Sequence, residues 1–241
     1  MIHFSGRGVI QQYRTSMSTS YVPDYQEHTN TGVAAAESDE ALLERFLLGD
    51  DAAFTSIYER YDRGVLTYIR TVVKDPPEVA DDLFQEAFVR LFRERKRYAA
   101  SLEGAAEYKP IQSVRGWLFR VAHNLAISHL RSLRQTVSLS DEGENYRWDE
   151  RLMVPIEESF SSMFGTDDRL SSEGLYAKLR AAVELLPQSL REVYVLREIN
   201  GLEYEEVAAT VGCTQEAARM RISRARRALR KVLEKYLGDE R

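Results

Sequence analysis

The sequence contains one cysteine, Cys213, and no uninterrupted apolar run near the roughly 18 residues that a membrane-spanning helix requires. A single cysteine excludes an internal disulfide framework and a cysteine-rich zinc site, and it fits a reducing compartment. The N-terminus also lacks a charged segment followed by an apolar one, which is the pattern of a secretory signal. These absences predict a cytoplasmic protein with no membrane insertion.

Catalytic and metal-binding patterns are missing as well. No phosphate-binding loop or nucleophile constellation occurs, and His123 and His129 are not spaced with further metal ligands. The sequence therefore predicts a protein that is not an enzyme, with no catalytic residues, no metal and no cofactor.

Charge is present but unevenly distributed. A net charge of -5 by itself disfavours a nucleic-acid partner, because phosphate neutralisation requires Lys and Arg. Residues 39–88 nevertheless carry −7, residues 89–134 carry +7, and residues 213–241 carry +5. Screening confines each field to about 8–10 Å, so these surfaces act locally. Two basic segments predict two separate anionic contacts.

Two segments, residues 39–134 and residues 175–241, have the apolar period of packed helices. Residues 1–38 are rich in Ser, Thr, Gly, Tyr and Gln without a period, which predicts a disordered tail. Residues 135–174 are acidic and also lose the period, so they predict a long flexible linker. No strand pattern is found. The fold class predicted is all-α, with two small helical domains.

Turn and capping residues divide the first segment into four helices. Asp50 or Asp51 is the predicted cap of the second helix, and Pro77 is the predicted first residue of the third. Residues 98–112 predict a loop with one short helical turn at most, and Ser113 predicts the cap of the fourth helix.

The second segment contains the pattern of a helix-turn-helix. Gly201 stops one helix, residues 204–211 form a short second helix, and Gly212 ends it because glycine adopts the left-handed conformation at little cost. Thr214 then caps the last helix. The order of these signals predicts a helix suited to the major groove of DNA.

The last helix divides into an apolar stripe and an arginine-rich remainder. Ala218, Ile222, Ala225 and Leu229 are spaced four, three and four residues apart, so they share one buried stripe. The predicted opposite side carries Gln215, Arg219, Ser223, Arg226 and Arg230, with Arg221, Arg224 and Arg227 on the flanks. Acidic residues that would make this a salt-bridged solvent face are nearly absent. Contact with DNA is therefore the preferred interpretation.

Three stretches of sequence resemble one family in the family's own order. They are DDLFQEAFVRLFR (residues 81–93), SVRGWLFRVAHNLAISHLRS (residues 113–132) and LLPQSLREVYVLREINGLEYEEVAATVGCTQEAARMRISRARRALR (residues 185–230). Together they resemble the extracytoplasmic-function sigma factors of bacterial RNA polymerase, over residues 39–134 and 175–236.

The resemblance implies a sigma factor that binds the RNA polymerase core and directs promoter-specific initiation. Residues 39–134 are then sigma region 2, for polymerase docking and the proximal promoter element. Residues 175–241 are sigma region 4, for the distal element. The implied partners are the polymerase core and promoter DNA, with an anti-sigma factor as a further candidate because such partners are common in the family.

The resemblance also assigns residues to each contact. The polymerase-docking set is Asp81, Asp82, Leu83, Gln85 and Glu86. The proximal-element set is Arg115, Arg120, Asn124, His129, Arg131 and Arg134. The distal-element set is Gln215, Arg219, Ser223 and Arg224 in the groove, with Arg221, Arg226 and Arg227 nearer phosphates. Phe88 and Trp117 are interpreted as core residues. The family forms a pocket for an extruded base in the loop before Ser113, but here that loop is longer than the family's usual form.

A conventional helix-turn-helix regulator that binds DNA alone is the alternative. It would require a dimerisation surface and a receiver or ligand domain, and neither is visible in the sequence. Transcription from purified components separates the two hypotheses, because only a sigma factor needs the polymerase core to act on a promoter.

Overall fold

The computed structural model describes residues 37–74, 76–105, 107–137 and 172–237. Within these ranges the chain forms eight α-helices and one π-helical turn, and no strand. The helices are α1 (Asp39–Leu47), α2 (Asp51–Val72), α3 (Pro77–Leu102), α4 (Val114–Val137), α5 (Ser172–Leu185), α6 (Gln188–Tyr194), α7 (Tyr204–Val211) and α8 (Gln215–Leu237), with the π-helical turn at Val195–Ile199. Residues 1–36 of the predicted tail and most of the predicted linker lie outside the described residues.

Helices α1 to α4, the first helical group, pack around an aromatic core. Phe54 lies 4.3 Å from Phe92 between ring centroids and meets Phe88 edge-on at 6.2 Å. Phe46 packs on both Phe54 and Phe92. Phe88 is fully buried, which confirms its interpretation as a core residue. Rings in edge-on and tilted pairs bury large apolar areas in favourable geometry.

The predicted helix boundaries of the first group are largely confirmed. The Asp50 carboxylate accepts a hydrogen bond from the Ala52 amide at 2.9 Å and so caps α2. Pro77 begins α3. The structure differs at the end of α3, which runs through Tyr98 to Leu102 instead of ending before a loop. No helix-breaking residue occurs before Gly104, whose φ of 73° ends the segment.

Helices α5 to α8, with the π-helical turn, form the second helical group, and they contain the predicted helix-turn-helix. The helix that Gly201 was predicted to stop is not α-helical throughout. Its last turn is π-helical, with the Asn200 amide donating to the Val195 carbonyl five residues earlier. The Asn200 side chain donates to the same carbonyl at 2.9 Å. This second donor explains why the wider turn is stable here. Gly201, with φ of 68°, then ends the segment as predicted.

The two helical groups pack against each other through α2 and α4 on one side and α6, α7 and the π-helical turn on the other. Two glycines permit this approach. A Cβ atom at Gly64 would lie 2.6 Å from Oδ1 of Asn200, and one at Gly116 would lie 2.8 Å from Oε1 of Glu206. The buried residues of both groups consequently form one continuous apolar cluster.

Candidate nucleic-acid interface

The orientation of α8 is fixed by the turn that precedes it. Gly212 has φ of 69° and ψ of 45°, the left-handed conformation predicted for it. The Thr214 hydroxyl accepts a hydrogen bond from the Ala217 amide at 3.2 Å, so it caps α8. Ala218 and Ile222 are buried against the rest of the second group. These contacts hold one side of α8 to the protein and leave the other side to solvent.

The exposed side of α8 contains nearly all of the predicted distal-element residues. Gln215, Arg219, Ser223, Arg224, Arg226 and Arg227 are exposed, and Arg221 is half-buried. Met220 is also exposed, at 56% of its area. Met220 is apolar and therefore carries none of the charge or polarity by which the sequence indicates DNA contact, although an apolar side chain in a major groove is able to contact a thymine methyl group.

Two of the exposed arginines contact neighbouring elements, which the sequence did not predict. The Arg219 guanidinium lies over the Tyr204 ring, 5.1 Å from the ring centroid. Arg226 donates to a carboxylate oxygen of Glu198 at 2.7 Å, and this hydrogen bond raises the pKa of Arg226. Arg219 and Arg226 therefore flank the buried stripe, and Arg227 lies more nearly opposite it, given 3.6 residues per turn.

The proximal-element set on α4 is divided between two sides of the helix. Arg120, Asn124 and Arg131 are exposed, and spacings of four and seven residues place them on one face. We call these three residues the proximal face. His129 and Arg115 lie on other sides of α4. The remaining member, Arg134, is within α4, but its side chain lies outside the described residues.

Arg115 contacts the second helical group. Its Nη1 donates to the Gly201 carbonyl oxygen at 3.0 Å. Partial burial lowers the pKa of Arg115, but Tyr61, Asp39 and Glu206 outweigh that effect and raise it. The Arg115 guanidinium is thus half-buried among hydrogen-bond acceptors of the same chain, whereas the side chains of the proximal face are exposed to solvent.

The cap of α4 joins the same contact. The Ser113 hydroxyl oxygen accepts from the Gly116 amide at 3.0 Å, which confirms the predicted cap. The hydroxyl also donates to Oε1 of Glu206 on α7. A single serine therefore begins α4 and binds the helix-turn-helix.

His123 lies on the inner side of α4 and hydrogen-bonds to the Tyr68 hydroxyl through Nδ1 at 2.9 Å. Burial lowers the pKa of His123 to about 4, and the charge of Arg131 adds to the shift. His123 is therefore neutral at physiological pH. In the described residues no group of three or more His, Cys, Asp or Glu side chains is arranged to hold a metal ion.

The acidic face of α3 contains the predicted polymerase-docking set. Asp82 is exposed, whereas Asp81, Leu83, Gln85 and Glu86 are half-buried. Asp81 pairs with Arg70 of α2 at 3.2 Å. Partial burial raises the pKa of Glu86, but hydrogen bonds from Arg90 and Arg93 outweigh it and lower the pKa. Two of the predicted acids are therefore already paired with arginines of the same chain.

A cleft of about 200 Å³ lies between α1 on one side and, on the other, the end of α3 and the segment that follows it. It is lined by Glu40, Leu43, Glu44, Leu47, Tyr98, Tyr108, Pro110 and Ile111. The Tyr98 and Tyr108 rings meet edge-on with centroids 5.3 Å apart. The cleft thus combines aromatic walls with two carboxylates, a surface that offers both stacking and hydrogen-bond acceptors.

No described helix combines the length and hydropathy needed to cross a membrane.

Comparison with known proteins identifies both helical groups. The family model for Sigma-70 region 2 matches residues 57–136, and the model for Sigma-70, region 4 matches residues 176–229. The RNA polymerase sigma-H factor of Pseudomonas aeruginosa is 31% identical over 84% of this chain and 97% of its own length. The ECF RNA polymerase sigma-E factor of Escherichia coli K12 is 31% identical over 80% of this chain and 92% of its own. A solved structure, CnrH in complex with the cytosolic domain of CnrY, is 22% identical with a TM-score of 0.49, covering 82% of this chain and 98% of that one.

Proposed function

The chain belongs to the extracytoplasmic-function sigma factors of bacterial RNA polymerase, and from this premise we propose how its two helical groups divide promoter recognition. A sigma factor of this family acts with the polymerase core to direct promoter-specific initiation, and it is not an enzyme. The assignment of contacts to individual residues is our proposal. So are the division into region 2 (39–134), linker (135–174) and region 4 (175–241) after a tail (1–38), and the placement in the cytoplasm.

Region 4 reads the distal promoter element with α8. The observation that carries this proposal is the exposed arginine-rich side of a helix whose other side is buried and whose first turn is capped by Thr214. Gln215, Arg219, Ser223 and Arg224 are proposed to contact bases, and Arg221, Arg226 and Arg227 to contact phosphates. Arginine provides a bidentate donor for guanine, and it neutralises phosphate equally well.

Region 2 holds the proximal element on α4. The proximal face supplies two cations and an amide in one row, as a single-stranded backbone requires. The cleft beside Tyr98 and Tyr108 is proposed to receive an extruded base, because aromatic walls stack on a base and carboxylates accept from its amino group. Arg134 is proposed to extend this set at its C-terminal end, and His129 is proposed to contact DNA from another side of α4.

Arg115 lies on another side of α4, and it is proposed to contact DNA only when regions 2 and 4 separate. In the described arrangement its guanidinium donates to Gly201, so DNA would have to compete with that contact. The side chains of Ser113 and Glu206 would be released by the same movement. DNA binding by Arg115 is thus coupled to the distance between the two regions.

The acidic face of α3 is proposed to dock on the polymerase core. Asp82 has no ion-pair partner in the described part of the chain, so it is available to a basic partner surface. Leu83 and Gln85 lie beside it and add apolar and hydrogen-bonding contact. Asp81 and Glu86 contribute to the acidic field while their arginine partners fix their positions.

Transcription with purified components tests the function. The chain is expected to bind bacterial core polymerase and to direct initiation from promoters recovered from cells that overproduce it. Asp82→Ala should lower core binding, and Arg120→Ala should lower promoter opening with core binding intact. Arg63→Ala, an exposed arginine of α2 outside the proposed surfaces, is the matched control. Tight binding of duplex DNA without polymerase, together with no effect on initiation, would instead favour the conventional regulator.

A further inference from the structure

Tyr204 is the first residue of α7, and it lies between the π-helical turn and α8. Glu203 and Glu206 form a capping box around it, in which the Glu206 carboxylate accepts from the Glu203 amide at 2.8 Å. The ring is half-buried and packs against the apolar cluster. Its backbone and side chain are therefore both held in place before any partner binds.

Two guanidinium groups lie over this ring. The Cζ atom of Arg197 is 4.6 Å from the centroid, and that of Arg219 is 5.1 Å from it. Arg197 is anchored elsewhere too, because it donates to the Leu202 carbonyl at 2.7 Å and pairs with Glu203 at 3.0 Å. Arg219 is exposed. Of the two arginines on the ring, Arg219 is the one able to reach DNA.

Arg226 is a third arginine near this part of region 4. It is held mainly by its hydrogen bond to Glu198 at 2.7 Å, and Tyr204 adds a smaller contribution to the rise in the pKa of Arg226. Arg219 and Arg226 are seven residues apart, two turns of the same side of α8. Arg226 is thus positioned by Glu198, and Arg219 is the proposed DNA-contacting arginine whose direction depends on the Tyr204 ring.

We propose that Tyr204 is a positioning residue for recognition of the distal promoter element, because its ring holds the Arg219 guanidinium in one direction before DNA binds. An arginine side chain is flexible in water and loses this freedom when it binds a base. Stacking on a fixed ring removes part of that loss in advance and leaves the N–H groups at the edge of the guanidinium available. The inference rests on the proposed function, in which Arg219 contacts a base.

Binding of the reconstituted holoenzyme to DNA provides the test. The probe is a duplex that the wild-type holoenzyme enriches from a random-sequence library, and the proteins are wild type, Tyr204→Leu, Tyr204→Phe, Arg219→Ala and the Tyr204→Leu/Arg219→Ala double variant. We expect Tyr204→Leu to weaken selective binding by about threefold to tenfold. Tyr204→Phe retains the ring and should stay within about twofold of wild type. The leucine substitution should cost nothing further once Arg219 is absent.

The effect of Tyr204→Leu with and without Arg219 distinguishes positioning of Arg219 from a merely structural role of Tyr204. If Tyr204→Leu weakens binding equally with and without Arg219, or if it tightens binding, Tyr204 does not position Arg219 and the inference is wrong. Thermal unfolding and core-polymerase binding are measured for every variant, and Tyr204→Gln replaces the leucine variant if that protein does not fold. If both Arg219→Ala and Arg227→Ala leave DNA binding unchanged, the proposed function of α8 fails and the inference fails with it. A loss with Arg219→Ala but no coupling to Tyr204 overturns the inference alone.

Discussion

Regions 2 and 4 each contain a basic helix, but the two helices differ in how many of their predicted DNA-contacting side chains are exposed. On α8, six of the seven predicted DNA-contacting side chains are exposed and Arg221 alone is half-buried. On α4, the predicted set is divided between the open proximal face and Arg115, which binds the Gly201 carbonyl. The net charge of a helix therefore does not tell which of its cations are exposed, because the neighbouring elements decide which side chains they cover.

The cores of the two regions differ as well. Region 2 buries Phe46, Phe54, Phe88 and other rings in contact with one another, whereas the residues described as buried and hydrophobic in region 4 are all aliphatic. Aromatic residues bury more area per side chain, so a single truncation leaves a larger cavity.

Phe88→Ala is the strongest test of this difference. Removal of a fully buried ring is expected to lower the free energy of unfolding by about 3–5 kcal/mol, measured by chemical denaturation. Asp82→Ala, on the exposed side of the same helix, should change it by no more than about 0.5 kcal/mol. Equal losses in both variants would contradict the assignment of the two faces of α3.

Acidification should lower the stability of region 2 and raise the stability of region 4. Because the folded-state pKa of His123 is lowered to about 4, the unfolded chain binds a proton first as the pH falls below about 6.5, and up to about 3 kcal/mol of stability is lost by pH 4. Region 4 contains no histidine, and burial raises the pKa of Glu192 there, so protonation of Glu192 favours its folded state. His123→Asn should remove the loss between pH 6.5 and 4 in denaturation measured at each pH. A pH dependence that survives in this variant would assign it to another group.

Arg219→Ala tests the availability of charge on α8. The variant is expected to weaken binding of the distal element by about 1–3 kcal/mol, if the guanidinium makes a bidentate base contact, with core binding unchanged. Arg115→Ala provides the contrast, because its main expected effect is a weaker contact between regions 2 and 4, measured as a longer interdomain distance in solution. If Arg115→Ala weakens binding of the distal element more than Arg219→Ala does, this contrast between α4 and α8 is wrong.

The two helix caps give the smallest expected effect. Thr214→Ala should cost about 1 kcal/mol of stability through loss of the α8 cap. Ser113→Ala should cost somewhat more, because Ser113 also donates to Glu206. Thermal denaturation of both variants measures the difference, and an equal loss would show that the contact with Glu206 adds nothing.

Local signals predicted much of this structure. The bounds of α7, the left-handed Gly212, the Thr214 cap and the buried stripe of α8 follow from short-range rules that a few neighbouring residues determine. The all-α fold and the sigma family were predicted correctly for the same reason, since the motifs that identify them are contiguous in sequence.

Contacts between distant segments were not predicted. Arg115 with Gly201 and Arg219 with Tyr204 join residues whose separation in sequence carries no periodic signal. The extension of α3 through Tyr98 was not predicted, because the small residues that follow Tyr98 are typical of a loop. No helix-breaking residue occurs there before Gly104, so the helix continues. These features depend on packing, which a single sequence does not specify.

The π-helical turn at Val195–Ile199 holds one residue more than an α-helical turn would. Its hydrogen bonds span five residues instead of four, so deletion of one residue would restore an α-helical turn. Because either kind of turn completes one circuit of the helix axis, the chain beyond it would keep nearly the same direction. Tyr204 would therefore stay beneath Arg219. Deletion of one residue within α8 would instead rotate the rest of that helix by about 100°, so region 4 is expected to tolerate a deletion in the π-helical turn far better than one in α8.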